Sequence, residues 1–183
     1  MLANVRKDYI LKTERLTIRP VSGSDIDHVH QLQTLPEITR FNTADIPQNQ
    51  QETERILTSW LLSPRNLVFA LETSDHQTFV GLIAINLGRE KYRNAEIWFK
   101  IYQQFWNQGF TTEAVKRIIR FGFEELDLHR IEAGCAVENT GSFRVLEKAG
   151  MLREAHTRQL LPLQSGWSDN YGYAILASDK WSE

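Results

Sequence analysis

Between residues 115 and 126 the apolar side chains recur at a spacing that suits one kind of secondary structure. Val115, Ile118, Ile119, Gly122, Phe123 and Leu126 stand at i, i+3, i+4, i+7, i+8 and i+11, which is one face of an amphipathic helix. On either side the period changes. Residues 95–101 read as a strand. Residues 129–137 read as another, in which Ile131, Ala133, Cys135 and Val137 alternate with the small Gly134 and Ala136, so burial on both faces is expected. A short helix from Asn139, stopping at Gly150, and strands over 153–161 and 171–177 complete the C-terminal half. Strand, long helix, strand, short helix, strand implies a partly parallel, mixed sheet.

The N-terminal half is patterned differently. Leu16-Thr17-Ile18-Arg19 alternates and stops at Pro20. Ser22-Gly23-Ser24-Asp25 then opens a helix with Ile26, Val29 and Leu32 on one side. A polar-rich helix over 48–62 is expected to bury Ile56 and Trp60. Strands over 67–72, 79–87 and 95–101 are separated by turn-forming stretches, predicting an antiparallel meander. No repeat or linker divides residues 1–183, which read as one domain of a size able to bury roughly 70% of its unfolded surface.

A net charge of −2 argues against nucleic-acid binding, which calls for a basic face; the largest basic cluster is thin, at Lys116, Arg117 and Arg120. Membrane spanning is not expected, since no apolar run approaches the length of a span. Arg6, Lys7 and Asp8 interrupt the apolar core that a signal peptide would need. The single cysteine, Cys135, allows no internal disulfide and suits a reducing compartment, so the cytoplasm is the expected location.

Two segments carry chemistry. In Trp106-Asn107-Gln108-Gly109-Phe110-Thr111-Thr112-Glu113-Ala114 a glycine precedes the long helix. Such a turn can aim backbone N–H groups, aided by the helix dipole, at a phosphate without needing a lysine. The segment matches neither the P-loop nor the dinucleotide fingerprint, and alone it also reads as a plain helix start with capping threonines. In Asn139-Thr140-Gly141-Ser142-Phe143-Arg144-Val145-Leu146-Glu147-Lys148-Ala149-Gly150, Asn139 is an N-cap and Ser142 a first-turn residue.

Together these segments resemble the two signature motifs of the GNAT superfamily of acetyl-CoA-dependent N-acetyltransferases, with closest likeness to the ribosomal-protein, RimJ/RimL-like branch. The resemblance also takes in Thr13-Glu14-Arg15-Leu16-Thr17-Ile18-Arg19-Pro20, Gly81-Leu82-Ile83, Ala95-Glu96-Ile97, His129-Arg130-Ile131-Glu132-Ala133, Asp169, Tyr171, Tyr173 and Trp181. It implies an α/β (α+β) fold, a mixed, mostly antiparallel central sheet flanked by helices and splayed at the cofactor strand. It implies that acetyl-CoA lays its pyrophosphate on the backbone of Asn107, Gln108, Gly109, Phe110, Thr111 and Thr112. Pantetheine would run beside Phe99, Lys100 and Ile101, with Asn139 bonding that arm and Ser142 near the sulfur as a proton donor. Phe143 and Lys148 would lie toward the cofactor. Amides near Phe99 would stabilise the oxyanion when a free amine attacks the thioester directly, in a ternary complex.

The sequence departs from the family pattern at several positions. Asn107 replaces a common glycine, Thr111 an alanine or glycine, and Met151 a phenylalanine. Trp98 and Lys100 replace a usual glycine and tryptophan, and by alternation they share a face with Glu96 that could meet the acceptor. Glu96 is the candidate base, directly or through water; the competing reading is a surface carboxylate paired with Arg93 or Lys91. A lysine-type amine costs about 4.6 kcal/mol to deprotonate at pH 7 and an α-amine about 1, so an oriented water serves the second better. His28 and His30 point apart on a helix, and without a Cys/His cluster no metal is expected.

The acceptor, a protein N-terminal or small-molecule amine, is set by the variable stretch 35–60, and a homodimer is left open. Two alternatives stand beside acetyl transfer: a catalytically weak module binding coenzyme A or a protein, and use of another donor such as succinyl-CoA, for which Lys100 would be the basic residue.

Overall fold

The computed structural model describes residues 9–179; Trp181 and the charged Arg6, Lys7 and Asp8 lie outside them. Eight strands form one sheet in the order β1-β2-β3-β4-β5-β6-β8-β7. They are β1 (Leu11–Lys12), β2 (Leu16–Pro20), β3 (Asn66–Thr73), β4 (Phe79–Leu87), β5 (Asn94–Ile101), β6 (Arg130–Ala136), β7 (Leu152–Leu163) and β8 (Gly166–Leu176). Every neighbouring pair is antiparallel except β5 and β6, so the expected meander and the expected parallel crossover are both present. The helices are α1 (Ile26–Thr34), α2 (Pro36–Thr39), α3 (Gln50–Leu62), α4 (Phe110–Glu124) and α5 (Thr140–Lys148). Among the described residues no helix is long and apolar enough to cross a membrane.

Two cores lie on opposite faces of the sheet. The larger packs Val115, Ile118, Ile119 and Phe121 of α4 and Leu146 of α5 against Ile83, Ile85, Ile97, Ile101 and Ile131. Gly122 lets α4 approach β6 closely, since a Cβ there would stand 2.6 Å from Cδ1 of Ile131. The smaller core joins Val29 and Leu32 of α1 and Leu57 of α3 to Val68, Ala70, Leu82 and Ala84. Covered on both sides, β4 is buried along almost its whole length.

Three expectations need correction. In α3 the fully buried residues are Thr53 and Leu57, whereas Ile56 and Trp60 are only half-buried, because the helix rests on the sheet one position round from the apolar pair. In β6 only the Ile131, Ala133 and Cys135 face is uniformly buried; Arg130 and Glu132 are half-exposed and Gly134 is exposed. The α1–α3 layer packs on β3 and β4 and leaves that side of β6 open. The last hairpin is longer than expected, running through Pro162. The proline is on β7, an edge strand, and pairs with Trp167 of β8; on the open side of that edge a missing N–H breaks no ladder.

Candidate active site

The sheet opens between its two parallel strands. β5 and β6 pair only at Asn94 with Arg130, Ala95 with Ile131 and Glu96 with Glu132. Past Glu96, β5 stays bonded to β4 as far as Ile101, while β6 stays bonded to β8 as far as Ala136. The backbone of Ile97–Ile101 therefore presents unpaired groups to a gap, and buried or ligand-facing amides need partners. Because β5 and β6 are parallel, the helices that follow them both begin at the open end, and both pack in the larger core.

The start of α4 is shaped by its loop. Asn107 (φ 58°) and Gly109 (φ 85°) are left-handed, a conformation cheap for glycine and tolerated by asparagine. Gly109 is the N-cap and supplies no side-chain acceptor, so the first N–H groups of the helix, from Phe110, Thr111 and Thr112, are left without the partner that a capping side chain gives. Arg15 fixes this loop: Nη1 donates to the Gln108 carbonyl (2.9 Å), Nε to Glu113 Oε2 (2.7 Å), and the guanidinium lies 4.4 Å from the Phe110 ring centre. Trp106 Nε1 donates to the Ile101 carbonyl at 2.8 Å, tying the loop to the end of β5. The structural part of Arg15 was missed in the sequence; its pairing with Glu113, 98 residues on, has no local signal.

The start of α5 differs. Asn139 Oδ1 accepts from the Ser142 N–H at 3.2 Å, the cap expected from sequence. Ser142 is half-buried and its hydroxyl engages Cys135, whose thiol burial pushes up to about 11 in spite of that contact. Phe143 is half-buried with its ring edge-on to Tyr171 (6.1 Å). Lys148 is exposed in the last turn, about 13 Å along the helix from Asn139 at 1.5 Å per residue.

On β5, Phe99 and Ile101 face the α4 side. Trp98 packs on the other face, its ring 5.6 Å from that of Trp60. Lys100 shares the Trp98 face and donates from Nζ to Oε1 of buried Gln33 on α1; burial lowers its pKa to about 8. Its side chain is thus on the α1 side, while its backbone belongs to the gap. Glu96 is exposed, yet local desolvation and then the Glu132 charge raise its carboxyl above the ordinary range. The pairings that would make it a plain surface carboxylate are absent: Arg93 binds Asp127 at 2.5 Å and Lys91 lies over Tyr92. His28 bonds Tyr102 and His30 bonds Thr53. Among the described residues no cluster of His, Cys, Asp and Glu could hold a metal.

Comparison with known proteins agrees with this geometry. The family model described as acetyltransferase (GNAT) domain matches residues 15–152. An uncharacterized N-acetyltransferase of Bacillus subtilis, YoaA, is 28% identical over 170 residues, covering 91% of this chain and 96% of that protein. The crystal structure of a GNAT-family acetyltransferase from Bacillus anthracis superposes with a TM-score of 0.84 at 29% identity, covering 93% of this chain and all of that one. Spermidine N-acetyltransferase from Vibrio cholerae, solved with CoA and spermine, gives 0.84 at 22% identity, covering 91% and 98%.

Proposed function

Because the chain belongs to the acetyltransferase (GNAT) domain family, we propose that it transfers an acetyl group from acetyl-CoA to a primary amine by direct attack in a ternary complex. The observation that carries this reading is the parting of β5 from β6 after three residue pairs, beside an uncapped α4 start. The residues present fit the cosubstrate: the amides at 108–112 suit a diphosphate, and the free edge of Phe99, Lys100 and Ile101 suits an extended amide-bearing arm. Asn139 would hold that arm from across the gap.

Acetyl-CoA, when bound, supplies a thioester whose C–S bond breaks as the new C–N bond forms. Glu96, on the β5 face away from α4, receives the proton lost by the amine, directly or through water. Its raised pKa brings it nearer the working pH, which favours a general base. Ser142, at the start of α5, returns a proton to the leaving sulfur. Cys135 stays a core thiol. An α-amine is the acceptor that such a weak base serves best.

Initial rates of coenzyme A release across a panel of amines and N-terminal peptides test the reading; a folded protein that binds acetyl-CoA and turns over none of them would refute it. In the same assay Glu96→Gln should lower kcat by roughly a hundredfold, with little change in the KM for acetyl-CoA. The wild-type acidic limb should lie above the ordinary carboxylate range, since Glu96 works deprotonated and its pKa is raised, and the variant should lose it. An unchanged profile would place the base elsewhere.

A further inference from the structure

On the β5 face that looks toward α1 and α3, Glu96, Trp98 and Lys100 stand in a row, opposite Asn86, Ala84 and Leu82 of β4. The two charged ends of the row are both incomplete. The Lys100 ammonium donates to Gln33, a neutral acceptor, and among the described residues no carboxylate pairs with it. A desolvated lysine is normally paired, and an ammonium with one neutral partner has donors to spare. Glu96 in turn has no cationic partner among the described residues, and the charge that acts on it is that of Glu132. Glu132 is already engaged by Arg130 Nε (2.9 Å) and Asn94 (3.2 Å). Between the ends Trp98 packs its ring against that of Trp60, 5.6 Å away.

Resting on the acetyl-transfer reading, we propose that the acceptor is an amino carboxylate of dipeptide length, its amine met by Glu96 and its carboxylate by Lys100, which Gln33 steadies. The Cα atoms of Glu96 and Lys100 are about 13 Å apart at 3.3 Å per residue. Strand side chains stand roughly perpendicular to the sheet, so the two charged ends keep about that separation, which suits a dipeptide backbone of about 7 Å with a hydrogen bond of about 3 Å at each end. One cation and one anion neutralise such a zwitterion. They do not neutralise a polyamine, which brings several positive charges beside a buried lysine.

Glycylglycine, glycylglycinamide and spermidine test this, because the first two differ only in the terminal carboxylate. The wild-type kcat/KM should favour glycylglycine over its amide by roughly ten- to hundredfold, the range of a charged hydrogen bond. Lys100→Met, which keeps the stem and removes the charge, should bring the ratio near one, and Lys100→Arg should keep the preference. Calorimetry of the same two peptides in the presence of coenzyme A reads the preference without turnover. A wild-type ratio near one, a ratio unmoved by Lys100→Met, or spermidine as the best acceptor would overturn the proposal while leaving acetyl transfer standing. If the calorimetric preference holds and no amine turns over, acetyl transfer falls and the carboxylate site stands.

Discussion

The beginnings of α4 and α5 are built from the same supersecondary unit and finished in opposite ways. Each helix follows one strand of the parallel pair and packs in the same core. α4 starts at a left-handed glycine with no side chain to offer, whereas α5 starts at Asn139, whose Oδ1 already takes the Ser142 N–H. One terminus leaves its backbone donors without a side-chain cap and the other spends one internally. The difference teaches that the two signature segments offer a ligand different atoms, backbone amides at the α4 loop and side chains (Asn139 and Ser142) at α5, which is the division of labour the proposed acetyl-CoA binding uses.

Converting the first terminus into the second should break the contrast. Gly109→Asp places a capping carboxylate where the diphosphate is proposed to sit, and should weaken acetyl-CoA binding by more than the roughly 1 kcal/mol of a single helix-end interaction. Gly109→Ala is the control: it carries the same left-handed strain and the same approach to Arg15 Nη2, 3.2 Å from an added Cβ, without the charge. Titration calorimetry that finds the Asp and Ala variants equal would leave the loop without an anion-binding part.

Removing the cap of α5 should cost stability first. Asn139→Ala loses about 1 kcal/mol, a fall in Tm of about 2–4 °C for a chain of this size. An unchanged melting curve would mean that the cap contributes nothing and that the two termini differ less than their geometry suggests.

The smallest effect on activity is expected at Cys135, next to the capped terminus. A helix start or a cationic partner can activate a thiol, but here burial holds Cys135 near a pKa of 11. Cys135→Ala should keep most activity and lose about 1 kcal/mol of stability, and initial-rate plots should intersect. Parallel plots, or an acetyl adduct on Cys135 found by mass spectrometry, would overturn direct transfer.

Much of this was legible in residue order. The 115–126 period located α4, but it missed the buried Ala114 and Phe121 and took in Leu126, which lies past the end of the helix. Phe121 packs edge-on against Tyr9, which precedes β1, and Phe69 of β3, contacts made with residues distant in the chain. Asn139 as a cap and Gly150 as a left-handed stop (φ 91°) were readable because both are local backbone requirements. Burial in α3 and β6 was misjudged because periodicity reports which residues share a face but not how far a covering layer extends.

The sequence alone therefore determined what depends on neighbours a few positions away: the elements, the glycine turn before α4, the cap of α5, and the shared face of Glu96, Trp98 and Lys100. Only the tertiary structure decided where β5 leaves β6, that Arg15 secures the Gln108 carbonyl, and that Lys100 meets Gln33 rather than a carboxylate. Those contacts join residues tens of positions apart, and their partners are chosen by how the layers pack, which no local spacing encodes.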